Sequence, residues 1–244
     1  MSITVSKKPL TQIDCHTTAH RVISGMSISI IHSPDMPSAS KVSERPFTWA
    51  EVRDIVKYND LEALARSQST TEKYLSFKKQ LREAHTTVFK HLVVETLKWR
   101  TKEQVQSLDD SEIVVPRSGS PLFCNAEDLK IVLNDFPYHF EDDVVHLCVW
   151  TKKRIESDPN NSFGDISPRM RAHIEKYVVK TFVDGLGIPR EDLVWFRNWD
   201  ALQSVKEISH IHVVIKGMTS EQLQQVLGGP GVPLDESEVD LPLN

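Results

Sequence analysis

The chain has 244 residues, 39% of them hydrophobic, with 29 Lys and Arg against 34 Asp and Glu for a net charge of −5. It is long enough to bury a core without disulfide or metal staples, and the acidic balance excludes a nucleic-acid or anionic-membrane surface built on general basicity. Cys15, Cys124 and Cys148 are an odd set without a CxxC pair, which points to a reducing compartment, by default the cytosol. The most apolar early stretch, Val22 to Ile31, is broken by Ser24, Gly25, Ser27 and Ser29, so neither a signal peptide nor a membrane anchor is expected.

Residues 1 to about 45 are rich in Ser, Thr and Pro and read as a mostly disordered tail, with alternation near residues 3–5 and 28–31 as a candidate edge strand. From Pro46 the pattern becomes helical. Thr48 with Glu51 three residues later forms a capping box ahead of Trp49, Val52, Ile55 and Val56. A second short helix fits Asp60 to Arg66, and a third runs from about Thr71 towards Trp99, with a pause at Ala84 to Thr87 that can divide it. Residues 46–108 thus read as a small helical subdomain.

Leu129 to Leu133 and Val144 to Trp150 are rich in β-branched and aromatic residues and flank the turn Asn134-Asp135-Phe136-Pro137-Tyr138, which predicts an antiparallel hairpin. Ser167 and Pro168 stand in N-cap and N1 order before an apolar stripe of Met170, Ile174, Tyr177, Val178 and Phe182. A strand over Leu193 to Phe196, a histidine-bearing strand and a short helix capped by Thr219 follow. Residues 109–229 are therefore expected to be an α+β core, an antiparallel sheet with packed helices in the order β-β-α-β-β-α. Residues 230–244 are an acidic tail, loose or wrapped.

The chemistry concentrates in the histidine strand. Side chains alternate along a strand, so His210, His212 and Val214 share one face and Ile211, Val213 and Ile215 take the other. Paired imidazoles can bind phosphate, ligate a metal or attack an electrophile. Upstream lie Arg197, Asn198, Gln203 and Ser204, which bind anions and hydroxyls, and Trp199, a stacking surface. Asp135 and Tyr138 are candidates to contact a sugar or base from the hairpin turn. No phosphate loop, GxSxG elbow or zinc-finger spacing occurs, so no cofactor is assigned. No metal is assigned either, because the pair lacks a third ligand, for which Asp135, His146 and Asp200 are unproven candidates.

The runs FTWAEV, LKIVLNDFPY, VVHLCVWTK and VWFRNW…LQSVKEISHIHV resemble the fungal N-acetylglucosamine-induced protein 1 family over about residues 47–229. That resemblance implies a fungal cytosolic protein linked to amino-sugar and cell-wall chitin metabolism. Asn198, Gln203-Ser204-Val205 and His210-Ile211-His212-Val213 also resemble the histidine-triad superfamily of nucleotide hydrolases and transferases. There, His212 would be the nucleophile, His210 its neighbour, and Ser204, Asn198 and Arg197 phosphate ligands. Val214 departs from that pattern at the third triad position, and the gap from Ser204 to His210 is three residues too long. The superfamily's edge-to-edge pairing makes a homodimer compatible with this reading. Three classes stay open: a phosphohydrolase or nucleotidyl transferase acting on a nucleotide, nucleotide sugar or sugar phosphate, a non-catalytic protein binding an amino-sugar or phosphate metabolite, and a protein-interaction regulator.

Overall fold

The structure is a computed structural model that describes residues 28–30 and 41–239. The rest of the stretch read as an N-terminal tail, with the candidate strand at 3–5, lies outside the described residues. What is described of it forms a small ladder, β1 (Ile28–Ile30) antiparallel to β2 (Lys41–Ser43). A strand is therefore present at 28–30, but in a separate two-stranded sheet rather than at the edge of the main one, and its partner lies within the stretch read as tail.

Helix α1 (Trp49–Lys57) carries the expected Thr48/Glu51 capping box. The second expected helix is reduced to a single tight turn over Leu61–Ala63. The long third helix is divided where the pause occurs: α2 (Gln68–Glu83) stops at Ala84, His85 takes a positive φ, and Thr87 caps α3 (Val88–His91), which continues as a widened π-type turn to Thr96. A short α4 (Lys102–Val105) completes this half.

The main sheet contains β3 (Leu129–Leu133), β4 (Val144–Thr151), β5 (Leu193–Phe196) and β6 (Ser209–Lys216). All neighbours are antiparallel and the order is β3-β4-β6-β5, so the histidine strand is central. Helices α5 (Pro168–Val178) and α6 (Ser220–Val226) complete an α+β fold.

Alternation gives the sheet two faces of different character. Ile131, Leu147, Val149, Ile211, Val213 and Ile215 pack on Ile174, Tyr177 and Val178 of α5 and on Phe182 just beyond it. This face is apolar except for Thr151 and Ser209 at one end, and it holds the largest cluster of buried side chains among the described residues. The other face is covered in two patches by the helical half. Phe47, Val52 and Ile55 pack with Phe196 and Val214, while Phe89, Val93 and Leu97 pack with Cys148 and Trp150. The polar site lies between those patches. The C-terminal segment is wrapped over residues 230–239: Leu234 is buried, its N–H donates to the carbonyl of Phe123, and the Tyr177 hydroxyl donates to the carbonyl of Pro230. No helix among the described residues is long and apolar enough to cross a membrane.

Candidate functional site

Strand register assembles the site. Across β4 and β6, His210 faces Trp150, His212 faces Cys148 and Val214 faces His146, while β5 brings Phe196 opposite His212. Because each cross-strand pair projects to the same side, three imidazoles and a thiol gather on the face under α2 and α3. Neighbouring rings fix them: Trp150 lies 4.0 Å from His210, and Phe196 stacks 4.9 Å from His212.

The hydrogen-bond network assigns the tautomers. Asn134 Oδ1 accepts from the Phe136 N–H at 3.0 Å, which turns Asn134 Nδ2 towards His146 Nε2 at 3.3 Å. That nitrogen is therefore the bare one, and the ring proton sits on His146 Nδ1, which is buried and finds no partner among the described residues. His212 Nδ1 lies 3.0 Å from the same lone pair and so donates to it. The His212 lone pair is left on Nε2, where Asn198 Nδ2 donates at 3.2 Å while also reaching the Tyr138 hydroxyl at 3.3 Å. Asn198 Oδ1 is buried without a partner.

Burial sets the charge state. It lowers His210 to about 4 and His146 to about 3, with the Arg197 charge adding to the first and Arg66 to the second. His212 is lowered well below the ordinary 6.5 by burial and then by the two neighbouring imidazoles. The Cys148 thiol is raised, first by burial and then by Asp135. The floor of the site is therefore neutral at physiological pH.

Above this floor is a cavity of about 320 Å³. Its far wall comes from the helical half: Tyr74 and Phe77 of α2 each lie just over 5 Å from the Phe136 ring, and His91 of α3 lies 5.0 Å from Phe77. Arg66 holds its guanidinium 4.7 Å from the Tyr74 ring centre and donates through Nε to the Phe136 carbonyl. It is a cation at the cavity wall, with Asp135 nearby.

Of the residues singled out from sequence, His210, His212, Asn198, Ser204, Asp135 and Tyr138 line the cavity. Arg197, Gln203 and Trp199 do not. Arg197 is buried on another side and holds the 157–164 loop, donating to the Gly164 carbonyl and Ser157 Oγ and pairing with Asp200 at 2.7 Å. Gln203 donates to the Asn198 carbonyl at 2.8 Å and so braces the turn that presents Asn198. Trp199 packs on Phe163 at 5.5 Å. Sequence reasoning missed Arg66, Phe77 and His91 and read Tyr74 only as an apolar helix position. Tyr74 and Phe77 stand three apart on one helix face, a signal that an aromatic pair is being presented. His146 pairs with Val214, so an imidazole on β4 stands beside the position where β6 has valine.

The family described as a protein of unknown function, DUF3605, matches residues 48–216. The chain is 38% identical over 208 residues to N-acetylglucosamine-induced protein 1 of Candida albicans, covering 83% of this chain and 82% of that protein. It is 28% identical over 169 residues to an uncharacterised protein of Saccharomyces cerevisiae, covering 68% of this chain and 77% of that one. Among solved structures, the crystal structure of HTC1 superimposes with a TM-score of 0.56 at 24% identity, covering 76% of this chain and 99% of that chain, a likeness of fold.

Proposed function

The chain belongs to the DUF3605 family together with N-acetylglucosamine-induced protein 1, and on that premise we propose that it is a cytosolic metabolite-binding protein of the N-acetylglucosamine response. Its ligand is a small phosphorylated sugar or a related ring bearing one anionic group. The observation that carries this reading is the composition of the cavity wall: neutral imidazoles and an amide below, Tyr74, Phe77 and Phe136 on the sides, and the single guanidinium of Arg66. Aromatic rings take the faces of a pyranose or a base, and a lone cation takes the anion. The volume of about 320 Å³ stands at the small end of ligand pockets, which run roughly 300–1,000 Å³, and suits a monosaccharide phosphate better than a nucleotide sugar.

One observation favours a second, catalytic reading. With the proton on His212 Nδ1, the Nε2 lone pair is the nucleophile a phosphohydrolase or nucleotidyl transferase requires. The P–N bond would form as the leaving-group oxygen departs, and water or an acceptor would then break it. Arg66, rather than Arg197, is the cation placed to hold the phosphate.

A thermal-shift panel of N-acetylglucosamine, its phosphates, nucleotides and nucleotide sugars tests the reading with the wild type, Arg66→Ala and His212→Ala. A ligand that binds only the folded state raises its stability by about 2.7 kcal/mol at a hundred times Kd. A sugar phosphate that shifts the wild type and not Arg66→Ala supports binding in this cavity; product formation with it, lost in a folded His212→Ala, selects the catalytic reading. No shift from any of these in a folded protein overturns both.

A further inference from the structure

A second binding possibility that needs no metabolite lies at the floor of the cavity, where Cys148 and His212 line it and His146 stands behind them. His146, Cys148 and His212 are all buried, and their donor atoms lie within 4.8 Å of one another. His146 Nε2 stands 3.0 Å from His212 Nδ1, which stands 3.6 Å from Cys148 Sγ. Metal bonds of about 2.0 Å to nitrogen and 2.3 Å to sulfur put the donors of one site roughly 3.3–4 Å apart, so small ring and thiol rotations bring all three to a common centre. Their positions are held by backbone pairing: Cys148 faces His212 across the strands, and His146 is two residues from Cys148 on the same face.

We infer that His146 Nε2, Cys148 Sγ and His212 Nδ1 form a three-donor site for copper(I), with its remaining side open to the cavity. Thiolate and imidazole together suit soft and borderline ions. Charge then chooses between them. The charged side chains that line the cavity with Cys148 and His212 are Arg66 and Asp135, one of each sign. Copper(I) bound to one thiolate adds no net charge to this buried floor, whereas zinc(II) leaves one uncompensated positive charge beside Arg66. An unpaired buried charge is costly to hold.

Binding is an exchange of a proton for a metal: the Cys148 S–H bond breaks, its proton leaves to solvent, and the sulfur electron pair forms the bond to copper, with no change of oxidation state. The His212 proton must also move from Nδ1 to Nε2. Asn198 is placed to accept a hydrogen bond from the resulting Nε2–H. Its Oδ1 is buried and unpartnered, and half a turn of the amide puts that oxygen where Nδ2 now lies, 3.2 Å from His212 Nε2. This supplies the outer hydrogen bond that orients a metal-bound imidazole. Asn134 Nδ2, now 3.3 Å from His146 Nε2, is the contact the ion displaces. With copper on Nδ1 the ring proton stands on Nε2 and no lone pair is left there, so a copper-loaded site and a nucleophilic His212 are exclusive states of one ring.

The test is anaerobic titration of the full chain, carrying Cys15→Ser and Cys124→Ser, with copper(I) against a coloured copper(I) chelator. One equivalent should be withdrawn from the chelator, and Cys148→Ser and His146→Gln should each weaken this by at least about tenfold. X-ray absorption of the loaded protein should show one sulfur and two nitrogens, a readout that stands even where a variant fails to fold. Full binding by a folded Cys148→Ser, a shell without sulfur, or zinc(II) displacing copper(I) at these donors would overturn the assignment. Because the titration contains no metabolite, its failure leaves the ligand reading of the cavity standing.

Discussion

His146 and His212 are 66 residues apart in sequence, yet His146 Nε2 and His212 Nδ1 share a 3.0 Å hydrogen bond between adjacent strands. That bond sets which nitrogen of His212 carries its lone pair. It also brings two of the three copper donors together. The catalytic reading depends on that bond, and copper(I) binding replaces it with two metal bonds to the same nitrogens.

The metal-free chain should lose stability as pH falls below neutrality. His210 and His146 are held at about 4 and about 3 in the folded chain, from an ordinary 6.5, chiefly by burial. Below 6.5 the unfolded chain takes up these protons and the folded chain does not, so unfolding is favoured progressively until the folded values are reached, where the loss levels off. Urea midpoints from pH 7.5 to 5 should fall, and more gently for His210→Phe. A flat profile over this window would mean that the rings protonate freely in the native state.

Leu147 lies between His146 and Cys148 but faces the opposite way, fully buried in the apolar cluster over α5. Leu147→Ala is expected to cost about 2–5 kcal/mol, from lost burial and the cavity left behind. Denaturant melts measure the cost. Copper(I) and metabolite binding measured well below the melting temperature should stay within a few-fold of wild type, since the substitution is on the other face.

The cap of α1 supports the patch over Phe196 and Val214. Thr48→Ala removes the side-chain acceptor for the Glu51 N–H and should cost about 1 kcal/mol. Glu51 is lowered to about 2 from 4.5, its hydrogen bond with Arg45 being the largest cause. Its contribution is therefore present above pH 4.5 and lost as pH falls towards 2. In Glu51→Gln that part of the acid dependence should be absent, as followed by circular dichroism between pH 5 and 2.

Arg66 is the cation proposed to hold the ligand's anionic group, and it also braces the cavity through the Phe136 carbonyl and the Tyr74 ring. Arg66→Ala should reduce affinity for a sugar phosphate by at least about tenfold, the scale of a charge-assisted hydrogen bond. Arg66→Lys should recover part of it by keeping the charge while losing the planar fork. Calorimetric titration at two salt concentrations separates the two contributions. Equal affinities for all three forms would remove Arg66 from the site.

Local chemistry was legible in the sequence where a single segment decides it. The Thr48/Glu51 box, Ser167 before Pro168, the hairpin about Asn134 to Tyr138 and the two faces of the histidine strand all follow from side-chain periodicity and capping within a few residues. The turn at Leu61–Ala63 was less legible, because Asp60 to Arg66 is too short for helix propensity to prevail over packing. Arg197 is the instructive case at the site. Its proximity to Asn198 in sequence suggests a shared role, but consecutive residues leaving a strand point apart, and the structure commits its guanidinium to Asp200, Ser157 and Gly164.

The sequence by itself determined the strands, their two-faced character and the pairing of His210 with His212, since these depend on neighbours one to four positions away. Only the tertiary structure decided that His146 and Cys148 stand beside them and that Arg66, Tyr74 and Phe77 close the cavity above. Those placements come from strand register and from helix packing across tens of residues. Both are set by the total burial of the fold, which no local pattern records.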